Sequence, residues 1–346
     1  MIRIQQALTR VLEGYDLTRA EARDVMGEIM RGEATPAQIG GFLVALRAKG
    51  ETASEITGCA EAMRAHVLPV HATRDDLVDT AGTGGDGART LNISTAAALV
   101  AAAAGAAVAK HGNRAVSSAS GSADVLEALG FDLELAPERI AGSIDSLGFG
   151  FMFAPLHHPA MQYAAPVRRE LATRTVFNVL GPLTNPAGAR AQVVGVYSPA
   201  LVRTIAEVLA QLGARRAFVV HGAAGIDELS PVGPNLVAEV VDGDVREREL
   251  DPAELGVPRC APEELAGGTA DENATAIREV FDGRDGGARS AILLNAAGAI
   301  AAAGHATDLR EGIELAREAV DSGRAGERLE QLVAYSRGTW DASATP

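Results

Sequence analysis

The chain has 346 residues, of which 47% are apolar and only 4% aromatic, so its core must be built mainly from alanine, valine and leucine. Its 45 acidic and 31 basic residues give a net charge of −14, which disfavours non-specific nucleic-acid binding because such binding needs a basic face. This length predicts about two domains, or one large α/β domain.

The start of the chain and its cysteines bear on its location. Residues 1–6 are polar and amphipathic and do not resemble a signal peptide. The longest apolar run, residues 96–109, is too short and too rich in alanine and glycine for a membrane span. Cys59 and Cys260 lack metal-type spacing, so free thiols are expected. We therefore expect a cytoplasmic protein with neither a membrane nor a nucleic-acid partner.

Residues 1 to about 66 are predicted to form four helices and no strand. Apolar residues recur at about 3.6-residue spacing, and Thr18 and Thr52 each begin a capping box. Pro36 follows Thr35 at a first helical position. No residue in this part suggests chemistry, so packing against another domain or another subunit is its expected role.

From about residue 74 strands alternate with helices, which predicts a parallel or mixed sheet covered on both faces. Asp242-Gly243 is expected to form the primed turn of a hairpin, and residues 156–186 are helical but broken by prolines. The predicted strands are residues 77–80, 106–110, 131–135, 149–153, 192–197, 217–220, 237–241 and 245–250. Three closing helices are predicted near residues 271–281, 288–303 and 308–335.

A glycine-rich loop, residues 82–87, lies between the first predicted strand and a predicted helix of residues 94–105. Glycine leaves backbone N–H groups uncovered and reaches positive φ without strain. The helix start adds unpaired N–H groups and the positive end of the helix dipole. This combination predicts an anion site, most often for phosphate, with Asn92 or Ser94 as the helix N-cap.

The glycine spacing also fits other interpretations. Gly82-x-Gly84-x-x-Gly87 matches the dinucleotide fingerprint, but the next strand ends in Lys110 where NAD binding needs an acid, which leaves NADP open. A nucleotide P-loop needs Lys and then Ser or Thr directly after the glycines, and residues 88–90 do not provide them. A plain strand–turn–helix corner is the third interpretation.

A second polar loop covers residues 110–122, with Lys, Arg and four serines but no acid. Ligands bind at the carboxyl ends of strands in open α/β sheets, so both loops are expected to open on the same side. Hydroxyls, N–H groups and a lysine can all bind phosphate oxygens. The two loops together predict a polyanion site, and a solvated polar loop is the alternative.

Acidic and basic side chains beyond the loops suggest further contacts. The adjacent Asp227 and Glu228 follow a strand and suit Mg²⁺, which proteins hold with one or two carboxylates plus substrate phosphates; a solvated turn is the alternative. Arg168 could pair with a substrate carboxylate, whereas Arg169 and Arg174 are expected on a helix surface. The neighbouring histidines at 157–158 are expected to be structural or to line a pocket.

Several long segments, in order along the chain, resemble the anthranilate phosphoribosyltransferase family. The resemblance runs from the N-terminal helices to about residue 335. The segments are DTAGTGGD (79–86), NIST (92–95), KHGNR (110–114) with the following residues to 122, HPAM (158–161), RTVFNVLGPLTNP (174–186), HG (221–222) and GIDE (225–228).

The resemblance implies a fold and a reaction. The fold is a small helical domain, residues 1–68 completed by 165–186, and a larger α/β domain, 69–164 and 187–346, with a mostly parallel sheet flanked by helices. Hinges are expected near residues 67–75, 164 and 186. The reaction transfers the phosphoribosyl group of phosphoribosyl diphosphate (PRPP) to the amine of anthranilate and releases pyrophosphate, in tryptophan biosynthesis. A homodimer through the helical domain is implied as well.

Individual site residues follow from the resemblance by motif match. It implies that Gly82, Asn113 and Arg168 contact anthranilate, and that Ser94, Asp227 and Glu228 bind magnesium, as two ions. No general acid or base is assigned, since the aromatic amine is already neutral at pH 7. The implied PRPP contacts are Gly82, Gly85, Asp86, Thr90, Asn92, Ile93, Ser94, Thr95, Lys110, His111, Gly112, Asn113, Arg114, Ala115, Val116, Ser117, Ser118 and Ser122.

Three alternative functions remain at this point. A nucleoside phosphorylase of the same fold is disfavoured by residues 110–113 together with Arg168. A non-catalytic nucleic-acid-binding relative is disfavoured by the net charge of −14. The third is the NADP oxidoreductase suggested by the glycine spacing.

Overall fold

The computed structural model describes residues 2–115 and 119–340. Val116, Ser117 and Ser118, three of the implied PRPP contacts, therefore lie outside the described residues. No helix within the described ranges is long and apolar enough to cross a membrane. Cys59 and Cys260 are both free thiols, as expected.

Four helices open the chain, as predicted: α1 (Ile4–Leu12), α2 (Arg19–Met30), α3 (Pro36–Lys49) and α4 (Ala53–Arg64). The hydroxyls of Thr18, Thr35 and Thr52 each accept a hydrogen bond from the third residue of the following helix, and the side chain of that residue bonds back to the threonine N–H. Each helix start thus satisfies two N–H groups that would otherwise lack partners.

The rest of the chain alternates strands and helices and returns once to the helical part. The first portion contains β1 (Leu77–Gly82), α5 (Ile93–Ala103), β2 (Ala107–Gly112), α6 (Ser122–Leu129), α7 (Pro137–Leu147) and β3 (Phe149–Phe153). The returning segment contains α8 (Ala154–His157), α9 (Ala165–Leu171) and α10 (Phe177–Leu180), with 3₁₀ turns at Pro159–Tyr163 and Gly181–Leu183. The last portion contains β4 (Ala191–Gly195), α11 (Leu201–Gln211), β5 (Arg216–His221), β6 (Asn235–Val241), β7 (Asp244–Leu250), α12 (Ala270–Phe281), α13 (Gly287–Ala303), α14 (Leu309–Asp321) and α15 (Arg324–Ser336).

The seven strands form one sheet in the order β3-β2-β1-β4-β5-β6-β7. The pairs from β3 through β5 are parallel, and β6 and β7 are antiparallel. The chain builds outward from β1 to β3 and then returns to place β4 on the other side of β1, so the strand order reverses beside β1. Open sheets bind ligands at the carboxyl ends of strands at such a reversal. The glycine loop begins there.

Two apolar layers cover the sheet. On one face the alanine-rich α5 and α13 are buried almost throughout and belong to one core cluster with α14 and α15. On the other face α11 shares a cluster with the four N-terminal helices and with α9 and α10, through residues such as Phe42, Val167 and Phe177. The scarcity of aromatic residues is thus met by closely packed small side chains.

Residues 131–135 were predicted to be a strand, and this prediction is wrong. Phe131 and Leu133 are buried, but the N–H of Asp132 donates to the Ser336 hydroxyl (3.0 Å) and the N–H of Glu134 donates to the Asp132 carboxylate (3.0 Å). The N–H of Phe131 donates to the Leu126 carbonyl in the preceding helix (3.0 Å). None of these three N–H groups therefore joins a strand ladder.

The third closing helix is also corrected, because it is two helices. Gly323, at φ +83°, takes the left-handed conformation between α14 and α15. The predicted hairpin turn is confirmed, since Asp242 and Gly243 have φ values of +48° and +92°, as a primed turn requires.

Close contact between α2 and α4 generates a stability prediction. A Cβ atom at Gly58 would lie 2.1 Å from the Arg19 carbonyl oxygen, whereas one at Gly326 in α15 would meet nothing within 4 Å. Gly58→Ala should therefore lower the free energy of unfolding by about 1–3 kcal/mol or more, measured by urea denaturation. Gly326→Ala is the matched control and should raise it by up to about 1 kcal/mol. Equal effects of the two substitutions would contradict the close packing.

Candidate active site

The glycine loop after β1 exposes a row of backbone donors. Gly84, Gly85 and Gly87 have φ values of +65°, +75° and +79°. The N–H of Thr83 donates to the Gly195 carbonyl (2.9 Å), and the N–H of Gly84 donates to Asp227 Oδ2 (2.6 Å). Within the described part of the chain, the N–H groups of residues 85–87 have no acceptor. Such consecutive uncovered N–H groups form an anion-binding concavity.

The loop lies against Asp227 because two glycines leave room. A Cβ atom at Gly82 would lie 2.2 Å from Asp227 Oδ2, and one at Gly195 would lie 1.5 Å from the Asp227 carbonyl oxygen. Any side chain at either position would push Asp227 away from the strand ends. These glycines therefore fix where the carboxylate sits.

Asp227 and Glu228 follow β5 as neighbours and remain partly accessible to solvent. Burial raises the pKa of the Asp227 carboxyl, and the nearby charge of Asp86 raises it further. Burial and then the charge of Asp227 likewise raise the pKa of Glu228, while Lys110 opposes that shift. Two carboxyl groups kept this close, and only partly accessible to water, favour the binding of a cation between them.

The side chain of Glu228 also contacts the start of α5. Its Oε1 accepts a hydrogen bond from the Ser94 N–H (3.1 Å). The structure thus brings Ser94, Asp227 and Glu228 together, as the implied metal set requires. Within the described ranges no three His, Cys, Asp or Glu side chains form a ready-made metal site. A pair of carboxylates nevertheless fits Mg²⁺, which takes its remaining ligands from phosphates and water.

Lys110 lies beneath the two polar loops. Its side chain is 1% exposed and donates to the Thr80 carbonyl and to Thr80 Oγ1 (3.2 Å). Burial lowers the pKa of Lys110, and the charges of Asp79 and Glu228 oppose that shift. A 2′-phosphate would need an accessible base at this strand end, so the structure removes the basis of the NADP interpretation.

A buried polar network joins β1 and β2 to the returning segment. Asp79 is fully buried and accepts hydrogen bonds from the His111 N–H (3.2 Å) and from Asn185 Nδ2 (2.8 Å). Asn185 Nδ2 also donates to the Ala109 carbonyl (2.8 Å). Asp79 and Asn185 were not among the expected site residues, because their partners lie too far along the chain for a local pattern to indicate them.

His111 and His158 form a buried pair, with their Nε2 atoms 3.1 Å apart. Burial lowers the pKa of His111 to about 3 and that of His158 to about 4. Both rings are therefore neutral at pH 7, and one Nε2 donates to the other. His157 Nδ1 instead contacts the Leu68 carbonyl (2.9 Å), so the 157–158 pair divides between two environments.

Arg114 and Asn113 in the second polar loop already have partners within the protein, so they are less available to contact a ligand than the resemblance implies. Arg114 pairs with Asp124 (3.0 Å) and Glu127 (2.7 Å) on α6. Asn113 is exposed, and its side-chain oxygen accepts the Arg114 N–H (2.8 Å). Asp124 also accepts from the N–H groups of Ala115 and of Gly121, so an acid from the following helix holds the loop. A direct contact from Arg114 to PRPP would require breaking these ion pairs.

Asn92 stands at the N-cap position of α5, but its side chain makes no capping bond. Asn92 Nδ2 donates to the Ser120 carbonyl (3.0 Å), and its Oδ1 accepts from Asn273 Nδ2 (2.9 Å). Asn92 therefore holds the predicted N-cap position without a side-chain cap, whereas Ser94 lies inside the helix, where its N–H donates to the Glu228 carboxylate. Asn92 instead links the second polar loop to α12.

The remaining implied PRPP contacts lie in three settings. Thr90 forms an isolated antiparallel bridge with Ala266. Ile93 and Thr95 are fully buried, and Thr95 Oγ1 lacks a hydrogen-bond partner among the described residues. Gly112 is closely packed, since a Cβ atom there would lie 2.9 Å from the Phe151 ring and 3.0 Å from Ser122 Cβ.

Arg168 on α9 is a half-buried cation without an anion. Its guanidinium lies 5.1 Å from the centre of the Phe177 ring, and burial lowers the pKa of Arg168. No hydrogen-bond or ion-pair partner for this guanidinium exists among residues 2–115 and 119–340. In a chain with 45 acidic residues, such an arginine is suited to an external carboxylate.

Arg174 was expected on a helix surface, and this expectation is wrong. It lies between α9 and α10, donates to the Gly85 carbonyl, and places its guanidinium carbon 4.0 Å from the centre of the Tyr197 ring. Arg169, by contrast, is exposed on α9. These contacts of Arg174 were not expected from the sequence, where its place at the start of the RTVFN segment was the signal available.

Comparison with known proteins identifies the family to which this fold and site are similar. Residues 74–326 match the model of the glycosyl transferase family a/b domain, and residues 5–67 match that of the helical bundle domain of the same family. An anthranilate phosphoribosyltransferase of Anaeromyxobacter sp. (strain Fw109-5) is 56% identical over 97% of this chain and 99% of its own length. The corresponding protein of Laribacter hongkongensis is 56% identical over 96% and 98%.

Solved structures agree in fold. The anthranilate phosphoribosyltransferase of Thermus thermophilus superposes with a TM-score of 0.91 at 50% identity, covering 96% of this chain and 99% of that one. The Saccharomyces cerevisiae enzyme in complex with PRPP and Mg gives 0.88 at 28% identity, covering 97% and 98%. These findings confirm the predicted fold class, enzyme class and reaction, and they do not favour a nucleoside phosphorylase or a nucleic-acid-binding relative. The chain belongs to the anthranilate phosphoribosyltransferase family.

Proposed function

We propose that this enzyme transfers the phosphoribosyl group from Mg²⁺-bound PRPP to anthranilate at the carboxyl end of the sheet. The observation that carries the proposal is the meeting of the uncovered N–H groups of residues 85–87 with Asp227 and Glu228 in one place. The yeast relatives are described in complex with PRPP and Mg and with 4-fluoroanthranilate, which supports the same ligand classes here.

The N–H groups of residues 85–87 are proposed to bind diphosphate oxygens, and the hydroxyls of Ser94 and Ser122 to add further donors. Lys110 contributes positive charge from below the loops without reaching their surface. As the bond to the ribose breaks, negative charge grows on the departing diphosphate. Fixed donors aimed at that charge stabilise the transition state without having to reorganise.

Asp227 and Glu228 are proposed to hold Mg²⁺, and Ser94 to offer its hydroxyl to a second ion. When bound, Mg²⁺ supplies neutralisation of the diphosphate charge. The raised pKa values of both carboxyls fit this role, because an unneutralised pair at this depth disfavours its own ionisation.

Anthranilate is proposed to place its carboxylate on Arg168, with Gly82 and Asn113 beside its ring. Its amine is neutral at pH 7, so the site needs to position the amine and needs no base. The neutral His111–His158 pair adds no charge that would compete with Arg168.

We also propose the domain division expected from the sequence, with residues 1–68 and 165–186 forming the helical domain and 69–164 with 187–346 forming the α/β domain. The matched family ranges, 5–67 and 74–326, support it. A homodimer through the helical domain is proposed because Leu12, Tyr15 and Val44 in that domain are exposed by 70%, 60% and 45%, and exposed apolar area marks interfaces. The cytoplasmic location stays a prediction.

The role of Arg168 is tested by following anthranilate fluorescence with purified protein, PRPP and Mg²⁺. The wild type should consume anthranilate only when all three are present. Arg168→Gln should raise KM for anthranilate by about 10- to 100-fold, since charge-assisted bonds contribute about 1.5–3 kcal/mol, with little change in KM for PRPP. Arg169→Gln, on the same helix, is the control and should match the wild type. An unchanged anthranilate KM in Arg168→Gln would contradict the assignment.

The metal role is tested with the double variant Asp227→Asn/Glu228→Gln. We expect calorimetry to show loss of Mg²⁺ binding in the presence of pyrophosphate, and the activity to require at least about tenfold more Mg²⁺, because both anionic ligands are gone. Asp244→Asn/Glu247→Gln, at two exposed positions of β7, makes the same charge change and should leave both measurements unchanged. A wild-type Mg²⁺ profile in the first variant would remove these residues from the metal site.

The proposed dimer is tested by light scattering. The wild type should have twice the 35.6 kDa mass of the chain, and Leu12→Asp/Tyr15→Asp should reduce it to one chain because each substitution places a charge in an apolar interface. Val241→Asp, at a position on β6 that is 44% exposed and lies outside the helical domain, is the control and should remain dimeric. A monomeric wild type, or a dimeric double variant, would contradict this interface.

A further inference from the structure

We propose that Arg174 is a positioning residue that orients the glycine loop for PRPP and couples that loop to the segment that receives anthranilate. The inference rests on the proposed function. It starts from two contacts: Arg174 donates to the Gly85 carbonyl, and its guanidinium lies 4.0 Å from the centre of the Tyr197 ring. Stacking on the ring leaves the in-plane donors of the guanidinium free for the carbonyl.

Tyr197 is itself attached to the glycine loop. Its backbone N–H donates to Thr83 Oγ1 (3.0 Å), and Thr83 N–H donates to the Gly195 carbonyl (2.9 Å). A continuous chain of contacts therefore runs from Thr83 through Tyr197 and Arg174 to Gly85, so both of its ends lie in the glycine loop. A loop of glycines has no side chains to restrict its own backbone, so its conformation depends on such external contacts.

The bond to the Gly85 carbonyl has a directional consequence. The peptide unit between Gly85 and Asp86 is planar and trans, as no cis bond occurs in the described ranges, so its C=O and N–H point in opposite directions. Holding the carbonyl toward Arg174 turns the Asp86 N–H the other way. That N–H is one of the uncovered donors proposed to bind the diphosphate. The contact with Arg174 therefore determines the direction in which the Asp86 N–H points.

Arg174 also belongs to the segment that carries Arg168. α9 ends at Leu171, and Ala172 follows in the left-handed conformation at φ +46° and ψ +31°. Only this short turn separates the helix of Arg168 from the residue that holds Gly85. A shift of α9 when anthranilate engages Arg168 is thereby passed to the loop, and linkage requires the effect to be reciprocal.

The test compares Arg174→Met, which keeps the length but removes the donors and the charge, with Arg174→Lys, which keeps the charge. Calorimetry measures the affinity for Mg²⁺-pyrophosphate, and the affinity for anthranilate with and without Mg²⁺-pyrophosphate. We expect Arg174→Met to weaken pyrophosphate binding about tenfold, as for a lost charged hydrogen bond, and to abolish the effect of pyrophosphate on anthranilate binding. Arg174→Lys should recover part of both, and Arg169→Met, also an exposed arginine in this segment, should match the wild type.

Two outcomes would overturn the inference. One is an Arg174→Met variant that binds both ligands as Arg169→Met does. The other is a loss of affinity for both ligands that Arg174→Lys shares in full and that is accompanied by lower thermal stability, which would indicate a purely structural role. A wild type that fails to turn over PRPP and anthranilate would instead contradict the proposed function, so the two failures are distinguishable.

Discussion

Two adjacent carboxylates lie against backbone N–H groups where the strand order of the sheet reverses. Asp227 accepts from Gly84 in the loop after β1, and Glu228 accepts from Ser94 at the start of α5. This arrangement requires glycine at 82 and 195, where any Cβ would meet Asp227. The close approach of one acidic turn to two strand ends thus shapes the whole site.

The negative charge of Asp227 and Glu228 accounts for the buried lysine that lies near them. Two acids at this depth disfavour each other's ionisation, and the fully buried Lys110 lies close enough to Asp79 and Glu228 to offset part of that effect. The same lysine bonds Thr80, whose hydroxyl donates to the Ser94 carbonyl (3.1 Å). The Mg²⁺ proposed for this site would offset the negative charge that Asp227 and Glu228 retain, and would thereby let a diphosphate bind beside them.

Local patterns in the sequence predicted most of the fold. Capping threonines, apolar periodicity and the Asp242-Gly243 turn each depend on residues within a few positions of one another, so the sequence shows them directly. The strand predicted at 131–135 is wrong because Asp132 bonds Ser336, a residue 204 positions away. An alternation of apolar residues cannot reveal that the backbone has such a partner.

In the candidate site, too, features that depend on local sequence could be predicted, whereas contacts between distant residues could not. The glycine loop, the second loop and the carboxylate pair follow from residue types at strand ends, and the resemblance added the ligands. The contact of Arg174 with Gly85 joins residues that are 89 positions apart, so the RTVFN segment could draw attention to Arg174 but could not identify its partner. The ion pairs that hold Arg114, and the use of Asn92 as a link to α12 instead of a cap, likewise depend on which helices the fold brings beside the loops.

Crystals grown with PRPP and Mn²⁺, which favours the same oxygen ligands as Mg²⁺, would show by anomalous diffraction whether Asp227, Glu228 and the glycine loop bind the metal and the diphosphate together. We expect a manganese peak bonded to a carboxylate oxygen of Asp227 or Glu228 and to the diphosphate, with diphosphate oxygens accepting hydrogen bonds from the N–H groups of residues 85–87. A manganese peak remote from both carboxylates, or a diphosphate bound away from the glycine loop, would contradict it.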